Sequence, residues 1–206
     1  MLYSLWLKNE LQITFERGTP KNRAHLPLPA KSILLRFDMF VYCLFCQTQR
    51  CHIIADLLEM KGADRAFSPQ ILSRQRKQGK IEEHRHDLLP GYVFVFMEDE
   101  LKNYELFRGI DGIIRLLGKD KGTAGLMYED YQFAMDLYER NGLVGALKIF
   151  KEGEKVRIKD SVFENYGGTV EYIDHRKQRA KVKFKFDNQE RVVWGLSNLK
   201  QSGFYQ

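Results

Sequence analysis

Cysteine is scarce in this 206-residue chain, and the three present, Cys43, Cys46 and Cys51, lie close together. An odd, clustered set excludes a disulfide framework and fits a reducing compartment. No apolar run approaches the roughly 18–20 residues that span a bilayer, so no membrane association is expected. Leu2–Leu7 is too short for a signal peptide and runs straight into polar residues. Also missing are a phosphate-cradling glycine loop with its lysine, an activated serine or cysteine nucleophile, and a convincing carboxylate pair. Cys43-x-x-Cys46 has the spacing of half a zinc site or a redox pair, with Cys51-His52 nearby. No second cysteine pair follows, however, and residues three apart on a strand face opposite ways. Buried small hydrophobes are the simpler reading. His84-x-His86 beside Glu82-Glu83 reads as a solvated polar loop rather than a metal site. The chain is therefore expected to be a binding protein, without catalysis, metal or cofactor.

What is present is an ordinary apolar fraction, 44%, and a net charge of +6. The charge is uneven: residues 1–38 carry +3, 39–150 carry −1 and 151–206 carry +4. A modest basic excess at both ends suggests an acidic or polyanionic partner. Residues 1–38 are broken by Thr19-Pro20, Pro27 and Pro29 and are polar and basic in the middle. They read as a mobile extension, or as a segment upstream of a start at Met39.

The centre of the chain is Leu88–Phe96, Leu-Leu-Pro-Gly-Tyr-Val-Phe-Val-Phe. Pro90 and Gly91 make a turn, and Tyr92–Phe96 holds only aromatic and β-branched residues. Period two puts Tyr92, Phe94 and Phe96 on one face and Val93 and Val95 on the other. A strand apolar on both faces lies between two protein layers, or between its own helices and a partner. Before it, Phe40–Cys46 is a strand and Cys51–Met60 an amphipathic helix closed by Gly62. Ala66–Leu72 is extended, and Ser73–Asp87 is a polar loop or hairpin tip. After it, Glu98–Glu100 opens a helix to about Arg108, favoured by the helix dipole. Ile113–Leu117 is a strand, Lys119–Gly125 a loop, and Asp130–Arg140 a helix with Ala134, Leu137 and Tyr138 inward. This order predicts an α+β domain with ferredoxin-like packing.

Gly142–Phe150 is a short connection, after which the pattern turns all-β. Val156 and Ile158 alternate with lysine and arginine. Ala180, Val182, Phe184 and Phe186 alternate with Lys181, Lys183 and Lys185, a half-buried strand. Several short strands in about 55 residues suggest a small closed barrel. Two basic surfaces follow as candidate nucleic-acid contacts: Arg74, Arg76 and Lys77 in the hairpin, and Lys181, Lys183 and Lys185 on the barrel. For the barrel lysines the simpler reading is a solvated strand face.

Residues 153–200 resemble a KOW domain, through Gly-Glu-Lys-Val-Arg-Ile at 153–158, Phe163-Glu-Asn-Tyr-Gly-Gly168-Thr-Val-Glu-Tyr-Ile-Asp174 and Arg179-Ala-Lys-Val. Residues 39–141, with Pro-Gly-Tyr-Val-Phe-Val at their centre, resemble the N-terminal domain of the NusG family of transcription elongation factors. The resemblance implies four segments: an extension (1–38), a NusG N-terminal domain (39–141), a linker (142–150) and an SH3-like KOW barrel (151–206). It implies a monomeric transcription elongation or antitermination factor in a bacterial cytoplasm. Its N-terminal domain would bind the clamp of the largest RNA polymerase subunit through Phe45, Tyr92 and Phe94. Its KOW domain would engage Rho, a small ribosomal subunit protein, nascent RNA or non-template DNA. Phe163 matches an exposed loop aromatic used for that contact, and Gly168 a glycine at a tight bend. The polar contact to the other pincer of the polymerase is not evident near Asn103–Arg108. The rival reading is a ribosomal-type RNA-binding module working through the barrel alone, with salt-steep RNA binding.

Overall fold

The computed structural model describes residues 39–101, 104–118, 125–152 and 155–201. The extension at 1–38, most of the expected loop at 119–125, Asn103 and Gly153-Glu154 lie outside them. The described residues fall in one compact unit.

The first sheet is organised around two strands that are apolar on both faces, β1 (Phe40–Cys46) and β5 (Tyr92–Met97). They pair antiparallel, Val41 opposite Phe96 and Phe45 opposite Tyr92. With β2 (Arg65–Phe67) and β6 (Ile113–Leu116) the order is β2-β5-β1-β6. Helix α1 (Cys51–Met60) covers one face, burying Ile54 and Leu58 with Leu44, Val93 and Val95. The opposite face carries Tyr92, Phe94 and Phe96 and is covered by helix α2 (Tyr128–Tyr138) and by the C-terminal strands. Both alternatives for a doubly apolar strand thus reduce to one here, two layers of the same chain.

Strands β3 (Gln70–Lys77) and β4 (Lys80–Asp87) form a hairpin ribbon. The stretch expected as a polar loop or hairpin tip is therefore mostly paired strand. Its Gln78-Gly79 turn has φ of 49° and 83°, the left-handed geometry of a two-residue hairpin. The expected helix after Glu98 is replaced by coil and one short 3₁₀ turn, Glu105–Phe107. Tertiary contacts outweigh the dipole term: Glu98 donates its N–H to Asp64, Leu101 donates to the Tyr42 hydroxyl, and Tyr104 takes a left-handed φ of 52°.

Residues 142–150, read as a linker, are built into sheets. β7 (Leu143–Val144) runs parallel to β3, and β8 (Leu147–Glu152) runs parallel to the end of β12 (Gln189–Gln201). β8 and β12, with β9 (Lys155–Ile158), β10 (Thr169–Asp174) and β11 (Arg179–Phe186), make a five-stranded sheet, order β10-β11-β12-β8-β9, that curls until β9 nears β10. A one-turn helix α3 (Ser161–Glu164) leads into β10. The fold is α+β, a layered N-terminal part followed by a small, nearly closed barrel. Among the described residues no helix is long and apolar enough to cross a membrane.

Candidate functional site: an aromatic seam

Period two on β5 delivers Tyr92 and Phe94 to one face, and antiparallel pairing sets Phe45 against Tyr92 with ring centroids 5.3 Å apart. Gly91 makes this approach possible. Its φ is 87°, and a Cβ there would lie 2.9 Å from the Phe45 ring and 3.1 Å from the Cys46 carbonyl oxygen. Phe45 is half-buried, with the Arg115 guanidinium 5.8 Å from its ring centre. Tyr92 and Phe94 are buried.

What buries them is the end of β11. The alternation that makes Ala180 and Val182 barrel core continues to Phe184 and Phe186, both buried. Phe186 meets Tyr92 edge-on at 5.5 Å, Phe94 at 5.6 Å and Phe133 of α2 at 5.2 Å. Phe184 stacks on Phe133 at 5.8 Å. One apolar cluster therefore runs from the N-terminal sheet through α2 into the barrel.

Polar contacts rim this seam. Arg191 of β12 donates to the Tyr92 hydroxyl at 2.5 Å and lies 5.2 Å from its ring centre. Burial pushes the Tyr92 phenol pKa up, while the Arg191 charge opposes the shift. The Asp187 N–H donates to Asp130 at 3.3 Å, and Arg115 lies 3.8 Å from the Asp187 carboxylate. The Tyr166 hydroxyl donates to Asp136 at 3.3 Å, and Arg140 pairs with Asp160 at 3.1 Å. A ring nitrogen of His86 sits 2.7 Å from the Trp194 carbonyl oxygen.

The other expected site residues fall as follows. Phe163 is not an exposed loop aromatic: it is fully buried and packs edge-on against Phe184 at 5.2 Å. Gly168 explains why the loop holds it there. A Cβ on Gly168 would lie 2.4 Å from the Phe163 carbonyl oxygen, which already accepts the Gly168 N–H at 2.7 Å. Gly168→Ala is expected to destabilise the barrel by about 1–3 kcal/mol, as overpacking does; a urea midpoint shared with the wild type would refute this. Lys181 and Lys183 pair across strands with Glu171 at 3.0 Å and Glu190 at 3.3 Å, whereas Lys185 is exposed and has no ion pair among the described residues. Arg74 pairs with Glu83 at 2.8 Å, whereas Arg76 and Lys77 are exposed.

The cysteines divide as strand periodicity requires, Cys43 toward the seam and Cys46 with Cys51 toward α1. Burial raises the thiol pKa of all three, Cys46 to about 12. Among the described residues no group of three or more His, Cys, Asp or Glu side chains is placed to hold a metal ion.

Sequence reasoning missed the barrel half of the seam. Its signal was the Phe184-x-Phe186 pair at the end of an inward row, together with Phe133 in a helix stripe.

The fold and the seam define a two-part α+β protein, in which a layered part meets a small barrel through aromatic side chains. Residues 40–131 match the family model described as "Transcription termination factor nusG". That match takes in the first sheet, α1 and the start of α2. It is similar to a protein named transcription termination/antitermination protein NusG from Rickettsia typhi, 31% identical over 107 residues, covering 52% of this chain and 56% of that protein. The chain therefore spans little more than half the length of that relative. A protein of the same name from Buchnera aphidicola is 25% identical over 164 residues, covering 72% of this chain and 86% of that one. One from Thermus thermophilus is 30% identical over 118 residues, covering 52% and 62%. A solved structure described as "Domain interaction in Thermotoga maritima NusG" is 19% identical, with a TM-score of 0.47, covering 77% of this chain and 94% of that one.

Proposed function

We propose that this chain is a transcription factor that binds the clamp of the largest RNA polymerase subunit through Phe45, Tyr92 and Phe94, and that its barrel covers that surface until it is displaced. One observation carries the reading. The aromatic row is buried by a separate sheet, through one strand end and a rim of polar contacts, rather than by elements of its own layer alone. Aromatic anchors of this kind concentrate binding energy once uncovered. The names of the similar proteins, all transcription termination/antitermination factors, agree with it. The freed barrel would then be available to a second partner, a protein such as Rho or a small ribosomal subunit protein, or nascent RNA. Phe163 takes part only if the loop before Gly168 rearranges.

The test is retention of core RNA polymerase by the immobilised full chain and by its Phe45→Ala and Tyr92→Ala forms. Each variant is expected to retain a native-like circular dichroism spectrum and to weaken binding by about 1–3 kcal/mol. Undiminished binding by both folded variants would remove this row from the polymerase contact.

A further inference from the structure

Helix α2 carries three carboxylates, Glu129, Asp130 and Asp136, and no basic residue, in a chain whose net charge is +6. Residues three and four apart share a stripe of a helix. Phe133, Ala134 and Leu137 are buried in the seam. Tyr128, Gln132 and Asp136 follow one another along a second stripe, which walls an open cavity of about 750 Å³. The other wall comes from the barrel, from Asn165 and Tyr166 in the loop between α3 and β10. That loop is fastened to both parts. The Tyr166 carbonyl oxygen accepts the Lys185 N–H of β11 at 3.3 Å. Its ring meets Phe133 edge-on at 5.1 Å, and its hydroxyl donates to Asp136. The cavity therefore exists only while the layered part and the barrel are together.

The lining has one chemical character. Tyr128, Tyr131 and Tyr166 supply aromatic rings, Glu129 and Asp136 carboxylates, and among the described residues no lining side chain is cationic. Asp136 is buried and already holds the Tyr166 hydroxyl. Glu129 is exposed and has no ion pair among the described residues, so it offers the open charge. Tyr128 is 83% exposed, and its side chain has no hydrogen bond or ring contact among the described residues. Its φ of 50° is a backbone state that bulky residues rarely take. A bare ring thus stands at the cavity at some backbone cost. Aromatic rings beside a carboxylate attract an ammonium or guanidinium group, and they suit the apolar stem that carries it. A cavity of this size holds a small molecule or one long side chain.

We propose that this cavity binds an organic cation, an alkylammonium or guanidinium compound, and that the bound cation clamps the barrel onto the layered part. A ligand that binds one of two states favours that state. The cation therefore opposes exposure of the aromatic row and lowers the apparent affinity for polymerase. Cation binding and clamping stand without the polymerase reading, and only this last consequence rests on it.

The test is isothermal titration calorimetry of the full chain with spermidine, standing for a free polyamine, and with N-acetyl-arginine amide, standing for the side chain of a basic peptide. Saturable binding of one probe per chain is expected, and the tighter probe identifies the source. Tyr128→Ala/Glu129→Gln alters two exposed positions and is expected to weaken binding ten-fold or more. Asp56→Asn, an exposed position of α1 on the other face of the sheet, removes the same charge and is expected to bind as the wild type does. No saturable binding of either probe, wild-type binding by Tyr128→Ala/Glu129→Gln, or an equal loss in Asp56→Asn would each overturn the site. Amide hydrogen exchange across residues 184–191 is expected to slow when the cation is bound; unchanged exchange would overturn the clamp. Polymerase retention at ten times the cation's Kd is expected to weaken about ten-fold in the wild type and not in Tyr128→Ala/Glu129→Gln. A chain that binds the cation and slows its exchange, yet retains no polymerase under any condition, refutes the polymerase reading and upholds the cation site.

Discussion

Phe186→Ala in the full chain is expected to raise its affinity for core RNA polymerase by ten-fold or more, up to about a hundred-fold. The aromatic partners of Phe186 are Tyr92, Phe94 and Phe133, all on the N-terminal side of the seam. Truncating a buried phenylalanine costs about 3–5 kcal/mol. Here much of that loss falls on the closed arrangement rather than on the barrel's own core, which keeps Ala180, Val182 and Phe184. Apparent affinity scales with the fraction of molecules whose binding surface is free. A closed state weakened by about 2–3 kcal/mol releases that much latent affinity. Arg191→Gln gives an independent reading, since it removes the hydrogen bond to Tyr92 without opening a cavity; a gain of several-fold is expected. Solution binding titrations measure both. If the two folded variants bind polymerase no better than the wild type, the barrel does not gate this surface.

Phe94→Ala should lower the stability of the whole chain by about 3–5 kcal/mol. Phe94 is fully buried, at the meeting point of three layers. Its ring lies 6.2 Å from Phe67, 6.4 Å from Phe133 and 5.6 Å from Phe186. A cavity there cannot be filled from one side without disturbing the others, because close-packed interiors relax only partly. Urea unfolding should show a lower midpoint at an unchanged slope. A loss below about 1 kcal/mol would mean that this face of the sheet is not packed under α2 and the barrel in solution. Loss of polymerase binding by Phe94→Ala alone therefore says little about contact, and Phe45 and Tyr92 are the better probes.

The strands were legible wherever burial imposes a strict period. Phe40–Cys46, Tyr92–Phe96, Ile113–Leu117 and Ala180–Phe186 alternate or run apolar for the length of a strand, and each is one in the structure. Amphipathic α1 and α2 follow for the same reason at helical spacing. The helix expected after Glu98 failed because three acidic residues say only that a helix start would be comfortable. The contacts of Glu98 and Leu101 with Asp64 and Tyr42 come from residues far away in the chain. Residues 142–150 looked like a connection because strands as short as β7 carry too few positions to show a period, and their partners, β3 and β12, are distant in sequence.

By itself the amino-acid sequence determined the two-part α+β architecture, the aromatic face of β5 and the turn at Pro90-Gly91 before it, because these depend on local period and backbone sterics. The tertiary structure alone decided what that aromatic face touches. An apolar row must be covered, but its chemistry is the same whether the cover is a partner or another part of the chain. Only the meeting of Phe186 and Arg191 with Tyr92 selects the chain's own barrel. The same holds for Phe163, whose type suits an exposed anchor or a core, and which Gly168 and Phe184 place in the core. Local physics sets which side chains share a face; long-range packing sets what that face meets.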